Sequence, residues 1–219
     1  MPEFYSQYAK AYVAVDCIVF GFDDNKLKFL AGRRKLQPGF GEWALYGGFV
    51  GTDESVDEAA SRVLHELTGL KDIYMKQVGT FGALNRAEGE RVISVAYVSL
   101  INVKDYDEKI LLEKQLHWVS LENIPQMFAD HNDMVNTAVR MLRRRIHTEP
   151  ISFQLLPEYF TLTQLQNVHE AVLNIELDKR NFRKKVKQLS HVIKTDKVDK
   201  LTSKRGAALY RFDDTSTID

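Results

Sequence analysis

The residues of this chain that could do chemistry lie between Gly48 and Leu70, in the stretch GFVGTDESVDEAASRVLHELTGL. Its glutamates Glu54, Glu58 and Glu66 carry the hard oxygen atoms that Mg²⁺ needs as ligands. These three carboxylates could share one Mg²⁺ if their geometry allowed it. Because Glu66 alone is a poor metal site, we expect no bound metal or cofactor and no catalytic residue.

A helix must hold these carboxylates in place. Ser55 followed by Glu58 is the S-x-x-E pattern of a capping box, which predicts a helix start. Gly69 is typical of a helix end, because glycine tolerates a positive φ. Apolar residues recur between these ends at helical spacing and predict one apolar face: Val56, Ala59, Ala60, Val63 and Leu67.

The spacing of this stretch resembles the Nudix box, G-x5-E-x7-R-E-U-x-E-E-x-G-U, in which U is a bulky aliphatic residue. The matching positions are Gly48, Glu54, Arg62, Leu64, Glu66, Gly69 and Leu70. Val63 and Leu67 depart from the pattern, because they stand where the box has glutamates. In that family the helical glutamates bind the cations that bridge a diphosphate, and the conserved pair matched by Glu54 and Arg62 braces the loop against the helix. The resemblance thus implies the scaffold without the hydrolytic chemistry.

The distribution of charge points to a polyanionic partner for the C-terminal part. The whole chain has 30 basic and 30 acidic residues, but Asp178–Arg211 holds 12 basic against 3 acidic residues. Such a concentration is typical of a surface that meets nucleic acid or another polyanion.

The remaining composition describes an ordinary globular protein. With 219 residues, 44% of them hydrophobic, there is enough apolar material for a large core. Cys17 is the only cysteine, which excludes an intrachain disulfide and a zinc site with several thiolates. No signal-peptide pattern and no membrane-spanning apolar run is found, so we expect a soluble cytoplasmic protein with no membrane partner.

The first 147 residues predict an α/β domain. β-branched and aromatic runs bounded by turn residues predict strands, and a second helix follows them. The predicted strands are Tyr12–Phe22, Leu27–Arg34, Ile73–Phe81, Arg91–Val103 and His117–Val119, and the helix lies within Pro125–Ile146. This order suits an α/β/α sandwich with a mixed sheet. We place the domain at residues 1–147, a linker at 148–150, a second domain at 151–212 and a tail at 213–219.

Six side chains are candidate contacts for a small ligand in the first domain: Arg33, Trp43, Glu66, Phe81, Arg86 and Arg91. Arg33 and Arg34 end a strand and could meet an anion, although solvated arginines are commoner there. Arg86 lies in the polar loop Asn85–Glu90 and Arg91 directly follows it; in Nudix proteins this loop borders the ligand cleft. A solvated hairpin loop is an equally good interpretation of these two residues.

The C-terminal part predicts a winged helix. Leu162–Leu173 is amphipathic with Thr161 as N-cap, and Asp178 caps a second helix with Phe182, Val186 and Leu189 as its apolar stripe. The basic residues Arg180, Arg183, Lys184 and Lys187 fall on the opposite side. Two short strands around the tip Lys200–Gly206 would complete the wing, in the order typical of a helix-turn-helix module.

Double-stranded DNA is the partner that this module suits. Near the start of the second helix, Lys179, Arg180, Asn181 and Arg183 are placed to reach base edges, because arginine pairs with guanine and asparagine with adenine. The residues expected to touch phosphate are Lys184, Lys187, Lys204 and Arg205.

The two halves together resemble the Nudix-related transcriptional regulators. Three stretches carry the resemblance in the second half: Leu155–Leu162, Asp178–Arg183 and Arg205–Tyr210. The resemblance implies a homodimer whose Nudix-like domain binds a metabolite and modulates operator binding. Its branches respond to ADP-ribose or to pentoses, and overall similarity favours the arabinose-responsive branch, with L-arabinose, another sugar or a sugar nucleotide as effector and the ADP-ribose branch second.

Two alternatives stay open at this point. A Nudix hydrolase of ADP-ribose or another nucleoside diphosphate derivative, with an accessory basic domain, would need new ligands in place of Val63 and Leu67. A nucleic-acid binder without sequence preference would use the same basic surface.

Overall fold

The computed structural model describes residues 6–71, 73–86, 89–105, 108–200 and 206–213. Within these ranges the strands are β1 (Tyr12–Asp23), β2 (Lys26–Arg33), β3 (Trp43–Ala44), β4 (Tyr46–Phe49), β5 (Met75–Phe81), β6 (Val92–Ile101), β7 (Leu116–Ser120), β8 (Val192–Asp199) and β9 (Ala207–Phe212). The α-helices are α1 (Val56–Thr68), α2 (Glu108–Lys114), α3 (His131–Arg145), α4 (Leu162–Leu173) and α5 (Lys179–Val186). Short 3-10 turns lie at Val103–Asp105, Leu121–Asn123 and Ile151–Leu155.

Strand β1 is the centre of a seven-stranded mixed sheet. It pairs in parallel with β6 and antiparallel with β2 and β4, while β5 pairs with β6 and β3 and β7 pair with β2. The predicted Nudix-like α/β fold with a mixed sheet and a C-terminal winged helix is confirmed. Helix α2 was not predicted, because its seven residues offer too short a periodic pattern.

Alternate residues of β1 enter two different cores, as expected of a strand buried on both sides. Val15, Cys17 and Val19 pack with the apolar side of α1. Ile18 and Phe20 pack on the opposite side of the sheet, with residues of α3 and α4. We call these two sides the α1 face and the α3 face.

The winged helix shares the core of the α3 face. Leu165 and Val168 of α4 and Val186 of α5 belong to the same cluster of buried side chains as Ile18 and Phe20 of β1. Polar contacts add to this junction: Arg143 Nε of α3 donates to the Val172 carbonyl of α4 at 3.0 Å, and Asn167 of α4 donates to the Asn25 side chain at 2.7 Å. The winged helix is thus packed directly on the sheet domain.

One core prediction for α5 is wrong. Phe182 and Val186 face the core as expected, but Leu189 has 42% of its surface exposed. The helix ends at Val186, with Lys187 as C-cap, so the helical spacing that would bring Leu189 inward does not continue.

Within the described ranges, no helix combines the length and apolar character that a membrane crossing requires.

The packing of α4 on α5 makes the protein sensitive to acid. The His169 ring meets the Phe182 ring edge-on at 5.2 Å between centroids. Burial, with a smaller contribution from nearby His147, lowers the pKa of His169 to about 4. The unfolded chain, with an ordinary histidine pKa near 6.5, therefore binds more protons than the folded protein in this range. The stabilisation is complete above about pH 6.5 and is lost as the pH falls towards 4.

We expect this histidine alone to lower the free energy of unfolding by about 2 kcal/mol between pH 7.5 and pH 5. Urea unfolding at both pH values measures it. In His169→Leu the difference between the two pH values should shrink by about that amount. An unaltered pH difference in His169→Leu would contradict the assignment.

Candidate functional site

One carboxylate–guanidinium pair fixes the Nudix-box loop to α1. Glu54 accepts hydrogen bonds from Arg62 at 3.0 Å from Nε and 2.6 Å from Nη2. Arg62 Nη2 also donates to the Phe49 carbonyl at 3.1 Å, and Glu54 accepts the Gly51 N–H at 2.8 Å. Paired charge-assisted hydrogen bonds hold a fixed geometry. Glu54 and Arg62 therefore brace the loop against the helix, as the resemblance implied.

The glutamates of the box are occupied by donors of the protein. The Arg62 guanidinium holds the pKa of Glu54 at about 2. Glu66 lies 3.4 Å from Arg62 Nη1, and Glu58 accepts the Ser55 N–H at 2.8 Å in the predicted capping box. Among the residues that the structure describes, no group of three or more His, Cys, Asp or Glu side chains is arranged to hold a metal ion.

The two positions where the box lacks glutamate lie inside the protein. Val63 and Leu67 are both 0% exposed and pack in the core of the α1 face. The backbone of β4 lies close to Val63, because a Cβ atom at Gly48 would be only 2.9 Å from Val63 Cγ2. A carboxylate at either position would have to be buried among apolar side chains, so the helix could not present it to a cation without moving.

The α3 face is open to solvent near the start of β1. There the strand pairs Asp16 with Gly47 and Ala14 with Phe49, so these residues share a face. Gly47 is exposed, and a Cβ atom at this position would collide with the Asp16 carboxylate. Phe49 and Tyr12 are 59% and 55% exposed and meet edge-on at 5.6 Å. This part of the sheet forms a floor with small residues, bounded by an aromatic pair.

A buried polar cluster borders this floor. Ser94 of β6 donates to Asp16 at 2.5 Å, and His131 Nε2 lies 3.7 Å from Asp16 Oδ1. His131 Nδ1 accepts the Leu45 N–H at 3.0 Å, which requires that nitrogen to be unprotonated. Burial lowers the pKa of His131, the positive charge of Arg86 adds to this, and Asp16 opposes it. His131 is therefore a neutral ring that connects β4 to the start of α3.

Arg86 joins the cluster from the loop after β5. It donates to Asp130 through Nε at 3.0 Å and Nη2 at 2.7 Å, and Nη2 lies 3.9 Å from Asp16 Oδ2. Its side chain is 6% exposed. The solvated-loop interpretation of Arg86 is therefore wrong, since a buried ion pair fixes the side chain at the open floor. Its contact with a ligand stays a prediction.

Two arginine side chains lie over aromatic rings close to the start of α3. The Arg33 guanidinium lies 4.2 Å from the centre of the Trp43 ring, and that of Arg34 lies 4.3 Å from the Phe128 ring. Trp43 and Phe128 are joined by a backbone hydrogen bond of 2.7 Å. Arg33 Nη1 donates to the Gly41 carbonyl at 3.1 Å and Arg34 Nε to the Pro38 carbonyl at 2.5 Å. A stacked guanidinium can still offer its remaining in-plane N–H donors to an anion. Arg33 and Trp43 thus contact each other, so one ligand could touch both side chains; this role stays a prediction.

The other predicted ligand contacts lie in different surroundings. Phe81 ends β5 and pairs with Ser94, next to Asp16. Arg91 donates to the carbonyls of Gly82 and Ala83 at 2.7 and 3.0 Å, which fixes the ends of the loop. Glu66 lies on α1 and therefore on the opposite face of the sheet. The structure brings Arg33, Trp43, Phe81 and Arg86 to the α3 face and separates Glu66 from them.

Sequence reasoning missed Asp16, Asp130 and His131. Asp16 could have been found from the sequence, because it is the only charged residue in the apolar run Tyr12–Phe22. A charge in a buried strand needs a partner, and such a residue is a candidate for a site. Asp130 and His131 had no such signal, because polar residues at a helix start are common.

Basic side chains cover the solvent-facing side of helix α5. Asp178 caps the helix by accepting the Asn181 N–H at 2.8 Å. An open groove of about 610 Å³ is lined by Asp178, Lys179, Arg180, Arg183, Lys184 and Lys187. Arg183 differs from its neighbours, because it is half-buried and donates to Thr163 of α4 at 3.3 Å. The predicted basic residues of α5 therefore form one continuous surface.

Strands β8 and β9 form the wing beside this surface. The backbone of Phe160, just before α4, pairs with Tyr210 of β9 at 2.9 and 2.8 Å. Lys197 of β8 lies 3.5 Å from the centre of the Tyr159 ring. Both contacts fix the wing against the start of α4. Lys204 and Arg205, predicted to touch phosphate, lie outside the described residues.

Comparisons with known proteins match both halves of the chain. The NUDIX domain family matches residues 10–138, and the NrtR DNA-binding winged helix domain matches residues 152–212. The chain is 34% identical over 211 residues to the ADPR responsive transcriptional repressor NtrR of Acinetobacter baylyi. The aligned region covers 94% of this chain and 84% of that protein.

Solved structures agree with this match. Shewanella oneidensis NrtR complexed with a 27mer DNA has a TM-score of 0.80 and 28% identity, covering 92% of this chain and 93% of that one. The NUDIX domain of the same protein complexed with ADP ribose has a TM-score of 0.52 and 25% identity, covering 65% and 99%. These findings support the ADP-ribose-responsive branch. They give no support to the arabinose-responsive branch, which overall similarity of short stretches had favoured.

Restoring the missing glutamate should damage the fold. We expect Val63→Glu to lower the free energy of unfolding by roughly 3–5 kcal/mol, because it buries a carboxylate among apolar groups. Urea unfolding measures this, with Ser61→Glu at an exposed position of the same helix as the control. A stable Val63→Glu protein would show that the side chain can reach solvent and that the buried position is not fixed.

Proposed function

Because the chain belongs to the NrtR-type family of transcriptional regulators, in which a Nudix domain is followed by a winged helix, we propose that it is a metabolite-responsive repressor of transcription. The basic groove of α5 carries this proposal, since its cations lie on one side of a helix whose other side is anchored in the core. The buried Val63 and Leu67 support a domain that binds its ligand without hydrolysing it.

We propose ADP-ribose as the effector. The Acinetobacter relative is described as ADPR responsive, and the Shewanella NUDIX domain has been solved with ADP ribose. The open floor of the α3 face suits such a ligand, because an aromatic edge and several arginines surround it. The proposed contacts are Arg33, Trp43, Phe81, Arg86 and Arg91. Glu66, on the other face of the sheet, fits this site least well.

On the DNA side, α5 is proposed as the recognition helix in the major groove. Lys179, Arg180 and Asn181 are exposed near its start and are assigned to base edges. Arg183 is assigned there too, although its bond to Thr163 restricts its reach. The proposed phosphate contacts are Lys184, Lys187, Lys204 and Arg205. A homodimer would place two such helices on a palindromic operator, with half-sites about one helical turn or a multiple apart.

A modest free energy is enough for regulation. Shifting operator affinity about 100-fold requires about 2.7 kcal/mol of differential ligand binding between two arrangements of the dimer. The junction between the domains can transmit it, because α4 and α5 share their core with the sheet that forms the floor of the cleft.

Hydrolysis is the alternative activity, and the geometry disfavours it. Glu54 and Glu66 are paired with Arg62, and Glu58 caps α1. A Mg²⁺ ion would have to displace these internal contacts to recruit the carboxylates.

The first prediction concerns DNA. The protein should prefer one genomic sequence over random DNA near physiological salt, with an affinity that falls steeply as salt rises. Arg180→Ala should weaken this binding by about 5- to 150-fold, because a lost base contact costs about 1–3 kcal/mol. Fluorescence anisotropy on a fragment selected from genomic DNA measures both effects.

Lys185→Ala is the matched control for Arg180→Ala, because it removes one positive charge from the same helix outside the groove. An equal loss in both variants would indicate binding by net charge alone. Equal affinity for all sequences would contradict the proposed regulator.

The second prediction concerns the effector. ADP-ribose should raise the melting temperature of the protein, because a ligand of the native state stabilises it, and it should change operator affinity. Arg180→Ala should keep the melting shift, since the two sites are separate. Incubation with Mg²⁺ should release no AMP above the level of a Glu66→Ala control; turnover above that level would favour the hydrolase.

A further inference from the structure

Asp130 occupies a helix-capping position without capping the helix. It is the N-cap residue of α3, yet its side chain makes no hydrogen bond to the first turn. By contrast, the N-cap side chains Ser55, Thr161 and Asp178 each accept a backbone N–H at the start of α1, α4 and α5. Asp130 forgoes this ordinary contact because both of its carboxylate oxygens are taken by Arg86.

The Arg86–Asp130 pair has the geometry of an anion site that is already filled. The two hydrogen bonds are parallel, at 3.0 and 2.7 Å, which is the fork arrangement by which arginine binds a carboxylate or a phosphate. The side chains are 6% and 16% exposed, so Arg86 is less accessible than the carboxylate that covers it. Asp16, at 3.9 Å from Nη2, keeps part of the guanidinium charge balanced if Asp130 leaves.

We propose that Asp130 holds, in the ligand-free protein, the place on Arg86 that the diphosphate of the effector takes in the complex. This rests on the proposed function, because it assigns an anionic ligand to the α3 face. The ligand can approach over the open floor, where Gly47 is exposed and carries no side chain above the buried Asp16. A phosphate oxygen pair replaces the carboxylate pair, so the buried guanidinium keeps its two hydrogen bonds.

The displaced carboxylate has a second partner within its own helix. The Asp133 N–H now donates to the Asp130 carbonyl at 3.0 Å. The carboxylate can accept this N–H once the Asp130 backbone turns from its present φ of −101° and ψ of 21° to the extended conformation of a capping residue such as Asp178. The exchange therefore moves the first turn of α3 between two bonded arrangements. The same helix reaches Arg143, which donates to the Val172 carbonyl at the end of α4, so the exchange acts on an element that supports the winged helix.

Asp130→Asn tests the exchange, because it keeps the shape of the side chain and removes its charge. We expect it to bind ADP-ribose, and inorganic pyrophosphate as a smaller probe, about tenfold more tightly than the unaltered protein in calorimetric titrations. Asp133→Asn is the matched control, since it removes a carboxylate from the same turn that is exposed and does not contact Arg86. It should change either affinity less than about twofold. Asp130→Ser, a second neutral variant, should reproduce the gain and guards against an effect of the asparagine amide.

Arg86→Gln completes the test. It should weaken binding of both probes, and the double variant Arg86→Gln with Asp130→Asn should show none of the gain. Equal effects of Asp130→Asn and Asp133→Asn, or a gain that survives without Arg86, would overturn the proposal. If pyrophosphate shows the gain and ADP-ribose binds to no variant, the exchange stands and the proposed effector is wrong. If ADP-ribose binds and Asp130→Asn gives no gain, the effector stands and the exchange is wrong.

Discussion

Strand β1 supplies buried side chains to two cores, one on each face of the sheet, and the rest of the molecule depends on this constraint. Its odd-numbered residues from Val15 to Val19 support the Nudix helix, while Ile18 and Phe20 support α3 and the winged helix. Asp16 interrupts the apolar alternation at one place. A charge in this strand can be tolerated only with partners, and the partners come from β6, from the loop after β5 and from the start of α3. The proposed ligand cleft is thus assembled around the least apolar point of the central strand.

The sequence predicts the elements of the fold better than it predicts the cleft. A β-branched and aromatic run identified β1 closely, and helical periodicities identified α1 and α4, because each pattern is local to its own segment. Leu189 failed because the end of α5 is decided by tertiary packing and not by the apolar repeat. The cleft depends on contacts between distant segments, such as Arg86 with Asp130, which are 44 residues apart. No local pattern encodes such a contact, so the sequence offered Arg86 as a candidate without its partner.

The Nudix box illustrates how a motif can keep its architecture while its chemistry changes. Glu54 and Arg62 still fix the loop to the helix, and the capping box still begins α1. The two substitutions fall on the side of the helix that faces the core, where Val63 and Leu67 add apolar contacts. The apolar burial that removes metal ligands therefore also strengthens the packing of the helix. A sensor of the proposed kind would benefit from both effects, because its bound signal would not be hydrolysed and its helix would be firmly packed.

The core that β1 shares with α4 and α5 has a consequence for how such proteins can change over time. Modular regulators diversify readily when their domains are joined by a tether, because either domain can be replaced by recombination. Here α4 packs against β2 and α3 of the sensor domain, and its Leu165 and Val168 share one buried cluster with that domain. A transplanted winged helix would have to reproduce that apolar surface or leave it in water. New DNA specificities in this lineage should therefore arise by substitution on the outer side of α5, and seldom by exchange of whole domains.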